Sequence, residues 1–131
     1  MRPTVLVADG DSQLRDLYQM FLGERGYEVE TAADGLECLE KLRTTRPAAL
    51  VVDLSLRRGG CDGVLAWLRD EGIRCETSVI LTGTADSPPD GVNPHAPPVV
   101  DYLPKPFGLM TLLERVHASV ARQLPLRAAR P

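Results

Sequence analysis

Four short apolar runs divide the chain, and longer amphipathic segments separate most of them. The runs are TVLVA (4–8), AALVV (48–52), SVILT (78–82) and VVDYL (99–103). Apolar runs of this length between helical patterns are typical of buried strands in a parallel sheet. A fifth segment, YEVET (27–31), alternates like a strand and predicts one more.

The segments around these strands repeat apolar residues at spacings of three and four, which predicts amphipathic helices. Asp11 or Ser12 can cap the first helix, and Gly26 follows its end. The second helix stops before Pro47, and Gly72 is the expected stop of the third. In chain order, the apolar faces are Leu14, Leu17, Tyr18, Phe21 and Leu22; Leu36, Leu39 and Leu42; Val64, Leu65 and Leu68; and Leu109, Leu112, Leu113, Val116, Val120 and Leu124.

Because strands and helices alternate, the predicted fold class is α/β. We expect a single flavodoxin-like, doubly wound parallel sheet of five strands in the order 2-1-3-4-5. Residues 83–98, GTADSPPDGVNPHAPP, depart from the alternation and hold five of the eleven prolines. Each proline inside a helix costs about 3 kcal/mol, so the fourth helix should be absent or replaced by an irregular, mobile loop.

Composition limits the choice of function. A length of 131 residues indicates one domain, which we place at residues 1–124, followed by a short frayed tail at 125–131. The net charge of −3 does not favour nucleic-acid binding, and no apolar stretch approaches the roughly 20 residues that span a bilayer. Cys38, Cys61 and Cys75 form no CxxC pair, which indicates reduced thiols of a cytoplasmic protein rather than a zinc site.

Polar side chains stand at the ends of four predicted strands: Asp9, Asp53, Thr82 and Lys105. In an open α/β sheet, ligands bind outside the carboxyl ends of the strands. We therefore expect two carboxylates, a hydroxyl and an ammonium group to converge on one small pocket. Such a pocket suits a divalent cation and a phosphoryl group.

Four motifs occur in order along the chain: VLVADGDSQLRDL, VVDLSL followed by DG, VILTGT and DYLPKPF. The last is the most specific, because it places Lys-Pro-Phe between a short strand and the start of a helix. Together they resemble the receiver domain of bacterial two-component response regulators, over about residues 4–123.

The resemblance implies that Asp53 is the phospho-acceptor. A carboxylate beside a cation can attack a phosphoryl group and form an acyl phosphate. The implied cofactor is Mg²⁺, with Asp9, Asp53 and the backbone carbonyl of Ser55 as ligands and Asp11 as a further candidate.

The resemblance also implies the parts of a switch. Lys105 supplies positive charge to the phosphoryl oxygens, and Pro106 occupies the position at which the family has a cis peptide bond. Thr82 donates its hydroxyl to the phosphoryl group, and Tyr102 is the aromatic residue that follows Thr82 between two states.

The chain departs from the family at several positions. Gly10 stands where a second acid commonly ligates the metal, so we expect weak Mg²⁺ binding. Arg57 replaces a usual proline, RRGG (57–60) lengthens the loop after Asp53, and Pro104 precedes Lys105. Two alternatives stay open for Arg57 and Arg58. One of them reaches the pocket and partly replaces the charge of the metal, or both are loop arginines whose charges are solvated by water. The proline-rich segment also changes the face that the family uses for output.

We therefore expect a receiver domain, not an enzyme, in the cytoplasm. It would take a phosphoryl group from a histidine kinase or phosphotransfer protein and signal by contact with an unknown downstream protein. A homodimer is a further option, and no nucleic acid or membrane is expected as a partner. The alternative is a pseudo-receiver, a phosphorylation-independent binding module, which Gly10 favours and which Asp53, Thr82 and Lys105 oppose.

Two enzyme classes fit the sequence less well. A nucleotide binder of this fold would need a glycine-rich phosphate loop, which VADGDSQ does not provide. Asp9-Gly10-Asp11 does match the DxD of haloacid-dehalogenase-type phosphatases. The Asp53 strand and the Lys-Pro-Phe motif nevertheless fit a receiver better, and the chain lacks the extra length of that phosphatase class.

Overall fold

The computed structural model of the protein describes residues 2–70, 76–90, 93 and 96–128. Strands and helices alternate along most of the chain, which confirms the predicted α/β class. The elements are β1 (Thr4–Ala8), α1 (Ser12–Glu24), β2 (Glu28–Ala32), α2 (Gly35–Thr45), β3 (Ala49–Asp53), α3 (Gly60–Asp70), β4 (Ser78–Gly83), β5 (Val99–Pro104) and α4 (Leu109–Ala128).

The five strands form one parallel sheet in the predicted order β2-β1-β3-β4-β5. β1 therefore lies between β2 and β3, and the winding of the chain reverses at the β1–β3 pair. In sheets of this kind, the crevice outside the carboxyl ends of the strands at that reversal is where ligands bind. Asp9 follows β1 and Asp53 ends β3, so both carboxylates lie at this point.

Helices cover both faces of the sheet. α1 and α4 pack on one face, and α2 and α3 pack on the other. The inner strands β1, β3 and β4 are buried on both faces, so their sequences are nearly continuous apolar runs. β2 lies at an edge and mixes buried with partly exposed positions, which explains its alternating sequence.

The ends of α1 and α2 agree with the sequence, but parts of the predicted apolar faces do not. Asp11 caps α1, and Gly26 follows α1 with a φ of 100°. The predicted apolar faces are wrong at Leu17 of α1, at Leu124 of α4 and, in α2, at Leu36, which are 38%, 58% and 59% exposed. Cys38 is fully buried instead, because α2 turns Gly35, Cys38 and Leu42 towards the sheet. The predicted stop of α3 at Gly72 lies outside the described residues.

Two further segments bear on the predicted boundaries. In the proline-rich segment, the described residues 84–90, 93 and 96–98 belong to no helix or strand. Gly91, Val92, Pro94 and His95 lie outside the described residues, so replacement of the fourth helix by a loop, and its mobility, stay predictions. α4 continues beyond residue 124 to Ala128 and contains Pro125, whereas the domain boundary at residue 124 stays a prediction.

No helix within the described ranges is long and apolar enough to cross a membrane.

Candidate functional site

The carboxyl edge of the sheet places the four predicted polar residues close together. Asp53 and Thr82 are register partners on adjacent strands, Asp9 follows β1, and Lys105 follows β5. Asp9, Asp53 and Thr82 are buried, with 4%, 9% and 2% of their surface exposed. They end parallel strands of one sheet, and the carboxyl ends of such strands share an edge.

Lys105 joins the two carboxylates. Its Nζ donates a hydrogen bond to Asp9 Oδ2 at 2.8 Å and another to Asp53 Oδ2 at 3.2 Å. Both acidic side chains are largely shielded from water, so their mutual repulsion is poorly screened. The ammonium group offsets that repulsion and holds the two carboxylates in one arrangement.

The charge of Lys105 is stabilised by this arrangement. Burial by itself would lower the pKa of the ammonium group, because it disfavours the charged form. The hydrogen bond to Asp9 and the negative charges of Asp9 and Asp53 outweigh burial, so the pKa of Lys105 lies above its ordinary value of 10.5. Lys105 is therefore protonated at neutral pH.

A backbone amide and an arginine side chain hold Asp9 in position. Asp11 N donates to Asp9 Oδ1 at 2.9 Å, and Arg15 Nη1 donates to the Asp9 carbonyl at 2.7 Å. The carboxylate of Asp11 caps α1, since its Oδ1 accepts from Gln13 N at 2.9 Å and from Leu14 N at 3.3 Å. The cap accounts for Asp11 within the structure, and its role as a metal ligand stays a prediction.

Ser55 contacts Asp53 in a way that the sequence analysis missed. Ser55 N donates to Asp53 Oδ1 at 3.1 Å, and Ser55 Oγ donates to Asp53 Oδ2 at 3.0 Å. A carboxylate often accepts the N–H two residues later in the chain, so the Asp-x-Ser spacing was the available signal. The predicted role of Ser55 concerned its carbonyl oxygen, whereas these contacts use its amide and hydroxyl.

The loops after β3 and β5 are tied to β4 beside Asp53. Leu54 N donates to the Thr82 carbonyl at 2.9 Å, and Lys105 N donates to the Gly83 carbonyl at 2.7 Å. The Lys105–Pro106 peptide bond is cis, at the position where the resemblance implies one. These contacts fix the backbone from which Lys105 reaches the two carboxylates.

Tyr102 lies close to the end of β4. Its hydroxyl donates to the Ala85 carbonyl at 2.6 Å, and a β-carbon on Gly83 would lie 2.8 Å from the same hydroxyl oxygen. Burial raises the pKa of the Tyr102 phenol, and the negative charges of Asp86 and Asp53 raise it further. The absence of a side chain at Gly83 therefore leaves the space that Tyr102 occupies beside the site.

The site offers oxygen ligands of the kind that Mg²⁺ prefers, but only a few of them. The described residues contain no group of three or more Asp, Glu, His or Cys side chains arranged to hold a metal. Asp9 and Asp53 offer two carboxylates, and Mg²⁺ commonly takes one or two together with several waters. A β-carbon on Gly10 would meet no atom within 4 Å, so the missing acid leaves open space.

These residues line a cleft of about 970 Å³ that extends beyond Asp53. Asp11 and Asp34 lie on its wall, and Arg57 and Arg58 line it from the loop between β3 and α3. The sequence left open whether the two arginines face the pocket or only solvent. The structure places both residues among those that line the cleft, and both are also exposed to solvent.

Comparison with known proteins gives a consistent group of relatives. The family model of the response regulator receiver domain matches residues 5–117. Response regulator MprA of Mycobacterium tuberculosis (strain ATCC 25618 / H37Rv) is 35% identical over 129 residues, covering 98% of this chain and 55% of that protein. MprA of Mycobacterium leprae (strain TN) is 36% identical over 125 residues, covering 95% and 54%. The chain thus spans about half the length of the curated relatives it matches.

Solved structures share the fold. The receiver domain of the Francisella response regulator 1452 has a TM-score of 0.82 at 30% identity, covering 92% of this chain and 98% of that one. The chemotaxis response regulator CheY4 of Vibrio cholerae has a TM-score of 0.81 at 28% identity, covering 91% and 99%. A signal receiver domain from Vibrio parahaemolyticus has a TM-score of 0.89 at 24% identity, covering 100% and 99%.

Proposed function

This chain belongs to the response regulator receiver domain family, and on that premise we propose that it accepts a phosphoryl group on Asp53 from a histidine kinase or phosphotransfer protein. The observation that carries the proposal is the contact of Lys105 with both Asp9 and Asp53. Two buried carboxylates held by one ammonium group combine a nucleophile with the positive charge that an incoming phosphoryl group requires.

The proposed reaction forms one bond and breaks one. An oxygen of Asp53 attacks the phosphorus of a phosphohistidine, the P–N bond breaks, and the imidazole nitrogen keeps the electron pair and takes up a proton. Oδ1 of Asp53 accepts one hydrogen bond and Oδ2 accepts two, so Oδ1 has the more available lone pair. When bound by Asp9, Asp53 and the Ser55 carbonyl, Mg²⁺ would offset the repulsion between carboxylate and phosphoryl oxygens.

The residues around Asp53 would convert the modification into a conformational change. In this proposal, Lys105 contacts a phosphoryl oxygen, and Thr82 donates its hydroxyl to another. Tyr102 then gives up its hydrogen bond to the Ala85 carbonyl and moves towards Thr82. A local gain of negative charge thereby selects one of two arrangements of the β4 and β5 ends.

The output of the domain would be a protein contact. We propose that the domain acts in the cytoplasm, binds a downstream protein or a second copy of itself, and does not itself act as an enzyme. A loop in place of the family's fourth helix would change the shape of the output face. Residues 84–90, 93 and 96–98 of that segment, which the structure describes, belong to no helix or strand, and this supports this part of the proposal.

Labelling with acetyl phosphate and Mg²⁺ tests the proposal. Intact-mass spectrometry should show the gain of one phosphoryl group by the wild-type protein and none by Asp53→Asn. Asp16→Asn, which removes an exposed carboxylate from α1, is the matched control and should be labelled like the wild type. Labelling of Asp53→Asn at the wild-type rate would move the acceptor to another residue.

A phosphorylation-independent binding module is the second candidate. It is favoured by Gly10, because the site has two carboxylates where three would hold the metal more firmly. In that case neither acetyl phosphate nor phosphohistidine would label the wild-type protein, although it would still bind its partner. Failure to label at saturating Mg²⁺ would therefore select this candidate over the first.

A further inference from the structure

Three cationic residues line the cleft beside Asp53, and they differ in how their side chains are paired. Lys105 is bound to two carboxylates. Arg57 and Arg58 also line the cleft, but within the described part of the chain their guanidinium groups have neither an ion pair nor a hydrogen bond. Asp34, the nearby acid on the wall, instead caps α2 by accepting from Glu37 N.

The loop that carries the two arginines is held against α2. Gly35 N donates to the Arg57 carbonyl at 2.7 Å. A β-carbon on Gly35 would lie 2.6 Å from both the Arg58 carbonyl oxygen and Gly60 N, so only glycine allows this approach. Arg58, Gly59 and Gly60 have φ angles of 53°, 90° and 60°, a left-handed path that arginine rarely adopts. The arginines therefore extend from a backbone with a defined path.

A phosphoryl group on Asp53 would need the charge that these arginines carry. It would bring about −1.5 to −2 charges at neutral pH into a site that already holds Asp9. Gly10 contributes no acid, so Mg²⁺ would find fewer protein ligands here, and Lys105 already has two partners. A guanidinium group binds phosphoryl oxygens through two parallel N–H groups, which makes arginine well suited to the task.

We propose that Arg57 and Arg58 form an anion-binding site for the phosphoryl group on Asp53. Their positive charge would take over part of the role that Mg²⁺ has where a full set of protein ligands holds it. This inference rests on the proposed function. According to this inference, Arg57 and Arg58 in the loop after β3 stabilise the phosphorylated state. Because of these two residues, the phosphorylated state depends less strongly on Mg²⁺.

Beryllofluoride, an analogue of the phosphoryl group of an acyl phosphate, tests the inference. Its adduct with Asp53 can be followed by ¹⁹F NMR during Mg²⁺ and beryllofluoride titrations. We expect the double variant Arg57→Gln/Arg58→Gln to bind at least about tenfold more weakly, because a hydrogen bond to a charged group is lost at each arginine that engages the adduct. Arg43→Gln, which removes an exposed arginine from the last turn of α2, should bind within about twofold of the wild type.

Two further measurements distinguish direct contact from a general change in charge. The conservative Arg57→Lys/Arg58→Lys variant should recover part of the affinity, because it keeps the charge but loses the paired N–H groups. The double glutamine variant should also require more Mg²⁺ for half-maximal adduct than Arg43→Gln. Circular dichroism of each variant checks that the fold is retained.

The possible results separate the inference about the two arginines from the proposed function. If the double variant and Arg43→Gln bind beryllofluoride alike, with the same Mg²⁺ requirement, the inference is overturned and phosphorylation of Asp53 stands. If the wild type forms no adduct at saturating Mg²⁺, both the proposed function and the inference fall. A selective loss in the double variant supports both.

Discussion

Replacement of Gly10 by aspartate should strengthen Mg²⁺ binding and speed phosphorylation of Asp53. Gly10 lies beside Asp9 on the wall of the cleft. A β-carbon there would meet no atom within 4 Å, and the backbone is outside the left-handed region, so an aspartate fits without strain. The substitution therefore tests charge rather than packing.

The expected magnitude follows from the exposure of position 10. Since this residue is exposed, the interaction is best treated with a dielectric constant near that of water. Two unit charges 4 Å apart then attract by about 1 kcal/mol, and a divalent ion by about 2 kcal/mol, which is roughly thirtyfold in affinity. Without metal, the added carboxylate repels Asp9 and Asp53, and we expect it to lower the stability of the fold by about 1 kcal/mol.

Calorimetric titration of Mg²⁺ into the wild type, Gly10→Asp and Gly10→Asn measures the affinities, with the asparagine variant as a control of similar size and no charge. Thermal unfolding adds a second measurement. Gly10→Asp should melt below the wild type in EDTA and gain more from Mg²⁺, because the stabilisation of the folded state by a ligand rises with the logarithm of the ligand's affinity. Labelling by acetyl phosphate at low Mg²⁺ should be faster in this variant.

Equal Mg²⁺ affinity in all three proteins would refute the reasoning. It would mean that Asp11 or another group already supplies the ligand that position 10 lacks. An equal gain in Gly10→Asn and Gly10→Asp would instead trace the effect to the backbone and not to the carboxylate.

Three further predictions concern stability and reactivity. Folding raises the pKa of Lys105, so its stabilising effect should be complete below the ordinary lysine pKa of 10.5 and decline as pH rises through the folded pKa. A difference in unfolding free energy between wild type and Lys105→Met that does not begin to fall once the pH exceeds 10.5 would contradict this. Gly35→Ala should destabilise the fold by about 1–3 kcal/mol in urea unfolding, because the new β-carbon would lie 2.6 Å from backbone atoms. Gly63→Ala is the control and should not destabilise the fold, because its β-carbon would meet no atom within 4 Å. Burial raises the pKa values of Cys38 and Cys61 to about 12, so alkylation mapped by mass spectrometry near pH 8 should spare both thiols in the native protein and modify them in urea.

The strand pattern was sufficient to predict the sheet. β1, β3 and β4 are buried on both faces, and this burial leaves continuous apolar runs that are visible in the sequence. The strand order followed from the alternation of strands and helices and from the handedness of their crossovers. Sequence alone misplaced the apolar face of α2, because leucines at 36, 39 and 42 suggested one stripe while the helix buries Cys38 instead of Leu36.

Candidate residues of the site were predictable for a similar reason. Polar residues that end buried strands must lie at the shared carboxyl edge of the sheet, so the sequence pointed to Asp9, Asp53, Thr82 and Lys105. The partners of each group were not predictable. The hydrogen bonds of Ser55 to Asp53 depend on the local turn after β3, and no apolar pattern reports that turn.

The sequence by itself determined the fold class, the strand order and the four polar positions at the edge of the sheet, because burial and strand ends are local properties of the chain. Only the tertiary structure decided that Lys105 bridges both carboxylates and that Gly35 holds the loop of Arg57 and Arg58 at the cleft. Lys105 and Asp9 are 96 residues apart in the chain. Contacts of this kind depend on the distances between strand ends and between loops, which are set only when the sheet and its helices pack together.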